Sequence, residues 1–116
     1  MISTKVLAGA CFFAILHVLV WFSTNTQFIS DYWKDKSLYI SLACSIPISL
    51  LAYYGTRYAY SGLGESAWGS RFLAFGISYL VFPILTYAFL GESMFTMKTL
   101  LCVILSFAII SIQIFL

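Results

Sequence analysis

The chain reads as an all-α membrane protein: four transmembrane helices in a compact bundle with short loops, one domain over residues 1–116. Three observations lead there. Apolar stretches at about residues 6–22, 38–54, 72–90 and 100–116 fill most of the sequence. Each approaches the roughly 20 residues that a helix rising about 1.5 Å per residue needs to cross a hydrocarbon core about 30 Å thick. Only 9% of the residues are charged, against about 25% in soluble domains, and the mean hydropathy is +0.99. The charges, six Lys/Arg and four Asp/Glu, stand almost wholly in the polar joints. A soluble core of this size has no room to hide four such helices. In lipid the backbone must satisfy itself, which selects helices over open strands. The alternating segments of about ten residues that build a membrane barrel are missing.

The first helix is expected over about 5–23. Lys5 ahead of an apolar stretch looks like the start of a signal peptide, but Trp21-Phe22-Ser23-Thr24-Asn25 offers no small-x-small cleavage site and further spans follow. It is read as a retained span. It carries His17, the one side chain titrating near neutrality that lies inside a span, on a face with Ala10, Ala14 and Trp21. A charged group at mid-bilayer costs several kcal/mol, whereas a neutral imidazole binds through either nitrogen. In the joint 24–37, Phe28, Ile29, Tyr32 and Trp33 recur at helical spacing beside Asp31, Lys34, Asp35 and Lys36. That pattern predicts a short helix in the headgroup layer, and an anchoring loop fits it as well.

The second helix is expected over about 37–56. Ser37, Ser41, Ser45 and Ser49 repeat every four residues and form a ridge that suits close approach of another helix, or a polar path. Pro47 predicts a kink, since it removes a donor and crowds the carbonyl of Ala43. The joint 55–70 holds Arg57 and Glu65, with Gly62, Gly64 and Gly69 loosening the backbone. The third helix, about 70–90, places Gly76, Tyr79, Pro83, Thr86 and Tyr87 on one broad face. Pro83 leaves the carbonyl of Tyr79 in need of a partner. A polar elbow at Gly91 and Glu92 leads to the fourth helix, about 97–116, which is aliphatic apart from Cys102, Ser106 and Gln113.

Little in this inventory suggests catalysis. The lone His sits within a span and all four acids sit in joints, so no catalytic set, phosphate loop or metal-ligand spacing can be singled out. An enzyme, a cofactor and a metal are therefore not expected. Cys11, Cys44 and Cys102 lie in predicted spans and are read as buried small hydrophobes. A net charge of +2 without a basic cluster gives no reason to expect nucleic acid. Residues expected on a substrate path are His17, Trp21, Tyr79, Pro83 and Tyr87, between the first three spans.

Tyr87-Ala88-Phe89-Leu90-Gly91-Glu92-Ser93, followed by Lys98-Thr99-Leu100-Leu101 and an aliphatic helix, resembles the end of a drug/metabolite transporter domain. In size and layout the chain resembles the small multidrug resistance family and related short four-helix members. The resemblance implies a carrier or exporter of a small molecule. It also implies a homodimer, the opposed-chain arrangement included, in a bacterial-type inner or cell membrane. One departure matters: those transporters exchange protons at a glutamate in helix 1, and here Ala14 falls near that position, with His17 one turn later. Proton-coupled export of cations is therefore not carried over; the architecture is.

Two readings remain. One is a small carrier; the other is a non-transporting accessory or assembly subunit, or a small pore-former, acting through its helix faces. With four spans, Lys5, Arg57 and Arg71 share one side and Lys34, Lys36 and Lys98 the other, a tally of three against three. Orientation follows Lys and Arg rather than net charge, so the balance removes the main topological bias; the alternative is a fixed orientation with both termini cytoplasmic, decided by Lys5 and the amino terminus beside the first span.

Overall fold

A computed structural model describes residues 3–116. The elements are α1 Thr4–Asn25, a 3-10 turn at Thr26–Phe28, α2 Asp31–Lys34, α3 Ser37–Gly62, α4 Ala67–Leu90 and α5 Met97–Phe115. No strand occurs among the described residues. The long helices α1, α3, α4 and α5 are each long and apolar enough to cross a membrane.

Local chemistry sets the helix ends. The hydroxyls of Ser3, Ser66 and Thr96 accept hydrogen bonds from the N–H groups of Val6, Gly69 and Thr99, capping α1, α4 and α5. Helix α4 closes at Gly91, which adopts φ 69° and donates its N–H to the Tyr87 carbonyl, a left-handed cap that glycine accepts without strain. Pro47 and Pro83 sit inside helices that continue past them. The segment between α1 and α3 forms only a single helical turn, with Tyr32 and Trp33 exposed and Lys36 Nζ lying 3.6 Å over the Tyr32 ring.

Helix α3 runs on to Gly62 instead of ending near 56. At about 1.5 Å per residue its 26 residues make roughly 39 Å, longer than a hydrocarbon core. Arg57 and Gly62 read as joint residues, yet here both belong to α3, whose last turn packs beside the start of α1.

Helix α1 is central, packed on α3 along one side and on α4 along another, while α5 packs on α4. The Cα envelope is flattened, 46 × 36 × 18 Å. Contacts between Gly9 and Ala59 and between Ser23 and Ser41 make α1 and α3 antiparallel. This seam is built from small residues: a Cβ on Gly9 would lie 2.9 Å from the backbone nitrogen of Ala59, and one on Gly62 would lie 2.8 Å from that of Val6. A Cβ on Gly55 would lie 2.9 Å from the Phe13 ring. Small residues spaced about one turn apart let two backbones approach to this degree. The α4–α5 contact is looser, with Gly76 facing Ile110 and the Tyr79 and Phe107 rings 6.2 Å apart.

Two expectations are corrected on this frame. Cys11 and Cys102 are exposed rather than buried, and Cys44 is half-buried. The serine ridge splits. Ser41 shares a hydrogen bond with Ser23 of α1 at 3.1 Å, whereas Ser45 and Ser49 are exposed and donate to the carbonyls of Leu42 and Ser45 in their own helix. A four-residue step overshoots a full turn by about 40°, so a strict interval of four winds off any straight seam. Ser37, half-buried, reaches back to the Lys34 carbonyl.

Candidate functional site: a cleft between α1 and α4

His17 lies near the middle of α1, and its Nε2 is 3.0 Å from the carbonyl oxygen of Ala74 in α4. One turn on, Trp21 is almost wholly buried and donates its indole N–H to Thr86 Oγ1 at 2.9 Å. Its ring also packs against Phe22 and Phe89. Both side-chain bonds tie α1 to α4 with the two helices running in parallel. A buried indole N–H or threonine hydroxyl without a partner costs about 1–3 kcal/mol, so the Trp21–Thr86 bond holds the pair in register.

Beside these bonds a cleft of about 400 Å³ opens between α1 and α4. His17, Trp21 and Asn25 line it from α1, and Ser78, Tyr79 and Phe82 from α4. Three of the expected path residues, His17, Trp21 and Tyr79, thus meet in one place. Pro83 and Tyr87 lie instead in a neighbouring apolar groove of about 710 Å³, walled by Ile84, Met94 and Phe95. Tyr79 borders both spaces and forms the wall between them. The broad face expected on α4 is therefore divided: Gly76 and Thr86 point inward and are buried, and Tyr87 is exposed.

The elbow takes its own position. Glu92 is exposed, and with Ser93 it borders a small cavity of about 180 Å³ that Thr86, Thr99 and Cys102 also line. Asn25 and Ser78 were not anticipated as cleft residues. The signal for Asn25 was in the sequence, since His17, Trp21 and Asn25 repeat every four residues on one face. Ser78 precedes Tyr79 and was overshadowed by it.

Among the described residues no three His, Cys, Asp or Glu side chains come together as a metal site. The cleft groups are an imidazole, an amide, hydroxyls and aromatic rings. Such a set can bind and orient a ligand through hydrogen bonds and ring contacts. No family model, curated protein or solved structure matches the chain.

Proposed function

We propose that this chain is a multi-pass integral protein of a bacterial-type inner or cell membrane that carries a small molecule, on the pattern of the drug/metabolite transporters. The observation that supports the reading is the cleft that runs from His17, near the middle of α1, to Asn25 at its end, where His17, Trp21 and Tyr79 converge between α1 and α4. Polar groups at that depth are expensive unless they serve a path or a partner. The flattened envelope supports a second copy of the chain, because four helices in a slab 18 Å thick enclose little space alone. In this reading a homodimer, parallel or opposed, completes the enclosure. No cofactor is needed and the chemistry is transport, not catalysis.

Purified protein in liposomes, challenged with amines, amides and guanidinium-like compounds, tests the proposal. Saturable flux of at least one class is expected. Replacing His17 with Gln keeps a hydrogen-bonding side chain and removes titration. Unchanged flux and unchanged pH dependence in that variant would exclude proton handling at His17.

A second reading, an accessory subunit, draws on a different observation. Helix α5 packs mainly on α4, and the outer faces of α3 and α5 carry large exposed side chains such as Tyr53, Leu105 and Ile112. Absence of flux across the whole panel, together with stable co-purification of a distinct membrane protein, would favour it.

A further inference from the structure

The cleft between α1 and α4 has a one-sided hydrogen-bonding character that identifies the kind of molecule it takes. Every side-chain donor near it but one can be followed to its acceptor. His17 Nε2 faces a carbonyl, which only accepts, so Nε2 carries the hydrogen and the neutral ring keeps Nδ1 as an acceptor. The Trp21 indole N–H is given to Thr86. Both hydrogens of the Asn25 amide are used, one on the Trp21 carbonyl at 3.2 Å and one on Thr24 Oγ1 at 2.9 Å, which leaves Oδ1 as an acceptor. The Thr24 hydroxyl donates to the Val20 carbonyl at 2.9 Å. The Ser78 hydroxyl donates to the Phe75 carbonyl at 2.7 Å, leaving its lone pairs. Only the Tyr79 hydroxyl stands outside these bonds, as donor and acceptor alike. The rest of the lining is apolar: ring surface from Phe75, Phe82 and Tyr79, and the Val20 side chain.

Resting on the reading of this cleft as the ligand site, we infer that it takes an uncharged small molecule bearing N–H or O–H donors on a flat apolar body, the chemistry of phenols, anilides and aryl ureas. The lone pairs of His17, Asn25 and Ser78 recognise the donors and the rings take the flat body. Anions are refused because no cation and almost no free donor faces them. Cations are disfavoured because Asp31, Asp35, Glu65 and Glu92 all lie outside the spans, and an unpaired charge at mid-bilayer depth is expensive. A cleft of about 400 Å³ lies in the lower part of the range of about 300–1,000 Å³ that suits small molecules.

Four probes of one shape separate these possibilities: 2-naphthol, 2-methoxynaphthalene, 2-naphthoate and naphthylmethylammonium. Binding is measured by equilibrium dialysis against the full chain in lipid nanodiscs, with empty nanodiscs subtracting partition into lipid. Saturable binding of 2-naphthol is expected, weakened about tenfold in 2-methoxynaphthalene, where the donor is gone and the half-buried acceptors His17, Asn25 and Ser78 lose their partner. The two charged probes should not saturate. Ser78→Ala should weaken 2-naphthol several-fold and leave 2-methoxynaphthalene unchanged, and Asn25→Leu provides the same test at a second acceptor. Equal binding of the two neutral probes, or tighter binding of either ion, overturns the donor rule while leaving the cleft as a ligand site. If none of the four binds saturably, both the rule and the cleft's assignment fall.

Discussion

Helix α1 meets its two neighbours with opposite chemistries. Toward α3 it offers Gly9, Phe13 and Val6 against Gly55, Ala59 and Gly62, a dry seam where backbones nearly touch. Toward α4 it offers His17, Trp21 and Asn25, and the helices stand far enough apart to leave a cleft. The first interface gains from close van der Waals packing, the main attraction left between helices in lipid. The second is held by two long-range hydrogen bonds with space between them. One side of α1 therefore acts as scaffold, and the other keeps polar groups accessible on a backbone that the scaffold holds still.

The largest effect should come from filling the tight seam. Gly9→Leu places its Cβ against the main chain of Ala59, which cannot move aside as a side-chain tip would. Overpacking costs about 1–3 kcal/mol in ordinary cores and more where backbone is the obstacle, so a loss above about 3 kcal/mol is expected. Thermal unfolding in a fixed detergent measures it. A variant that melts with the parent would mean that the helices are not in close contact at Gly9.

The next effect belongs to the polar seam. Thr86→Val leaves the buried Trp21 N–H without an acceptor, for an expected loss of about 1–3 kcal/mol. Trp21→Phe removes the donor together with its half of the bond. In the double variant the losses should add to less than their sum, with a coupling of about 0.5–3 kcal/mol. Additive losses would show that the bond does not link α1 to α4.

The contrast between the two seams was only half legible in the sequence. Helix existence was plain, because apolar length alone decides it, and α4 ends at Leu90 as the Leu90-Gly91 junction suggests. Partner choice was not plain. Gly55 and Gly62 read as loop residues, since glycine signals a turn as readily as a close contact, and only the position of α1 distinguishes the two uses. The serines advertised a seam, yet the interval of four carries Ser45 and Ser49 away from α1. At the site, His17, Trp21 and Tyr79 stood out by residue type. The separation of Tyr87 from them depends on how far α4 rotates, which no pattern within one helix reports.

The looser α4–α5 contact sharpens the comparison from the other direction. A Cβ on Gly76 would meet Ile110 Cγ2 at 3.5 Å, an ordinary contact. Gly76→Ala should therefore be accepted and should gain up to about 1 kcal/mol from helix propensity. The same change at Gly9, against a backbone atom at 2.9 Å, should be destabilising. If the two alanine variants shift the melting temperature in the same direction, the contrast between the seams is wrong.

The smallest effect tests where the dry seam stops. The Ser41 hydroxyl meets Ser23 across the α1–α3 interface, while that of Ser45, one step further along the same ridge, is exposed and bonded to Leu42 of its own helix. Interhelical side-chain bonds in lipid average about 0.6 kcal/mol, so Ser41→Ala should lose about that much. Ser45→Ala should lose almost nothing in the isolated chain, because its bond is local and its face is open. Unfolding in liposomes at two protein-to-lipid ratios, and so at two concentrations within the bilayer, reads both variants. Equal losses at both concentrations would mean that α3 is rotated and the ridge faces α1 throughout. A loss at Ser45 that appears only at the higher concentration would place a second copy of the chain against the outer face of α3.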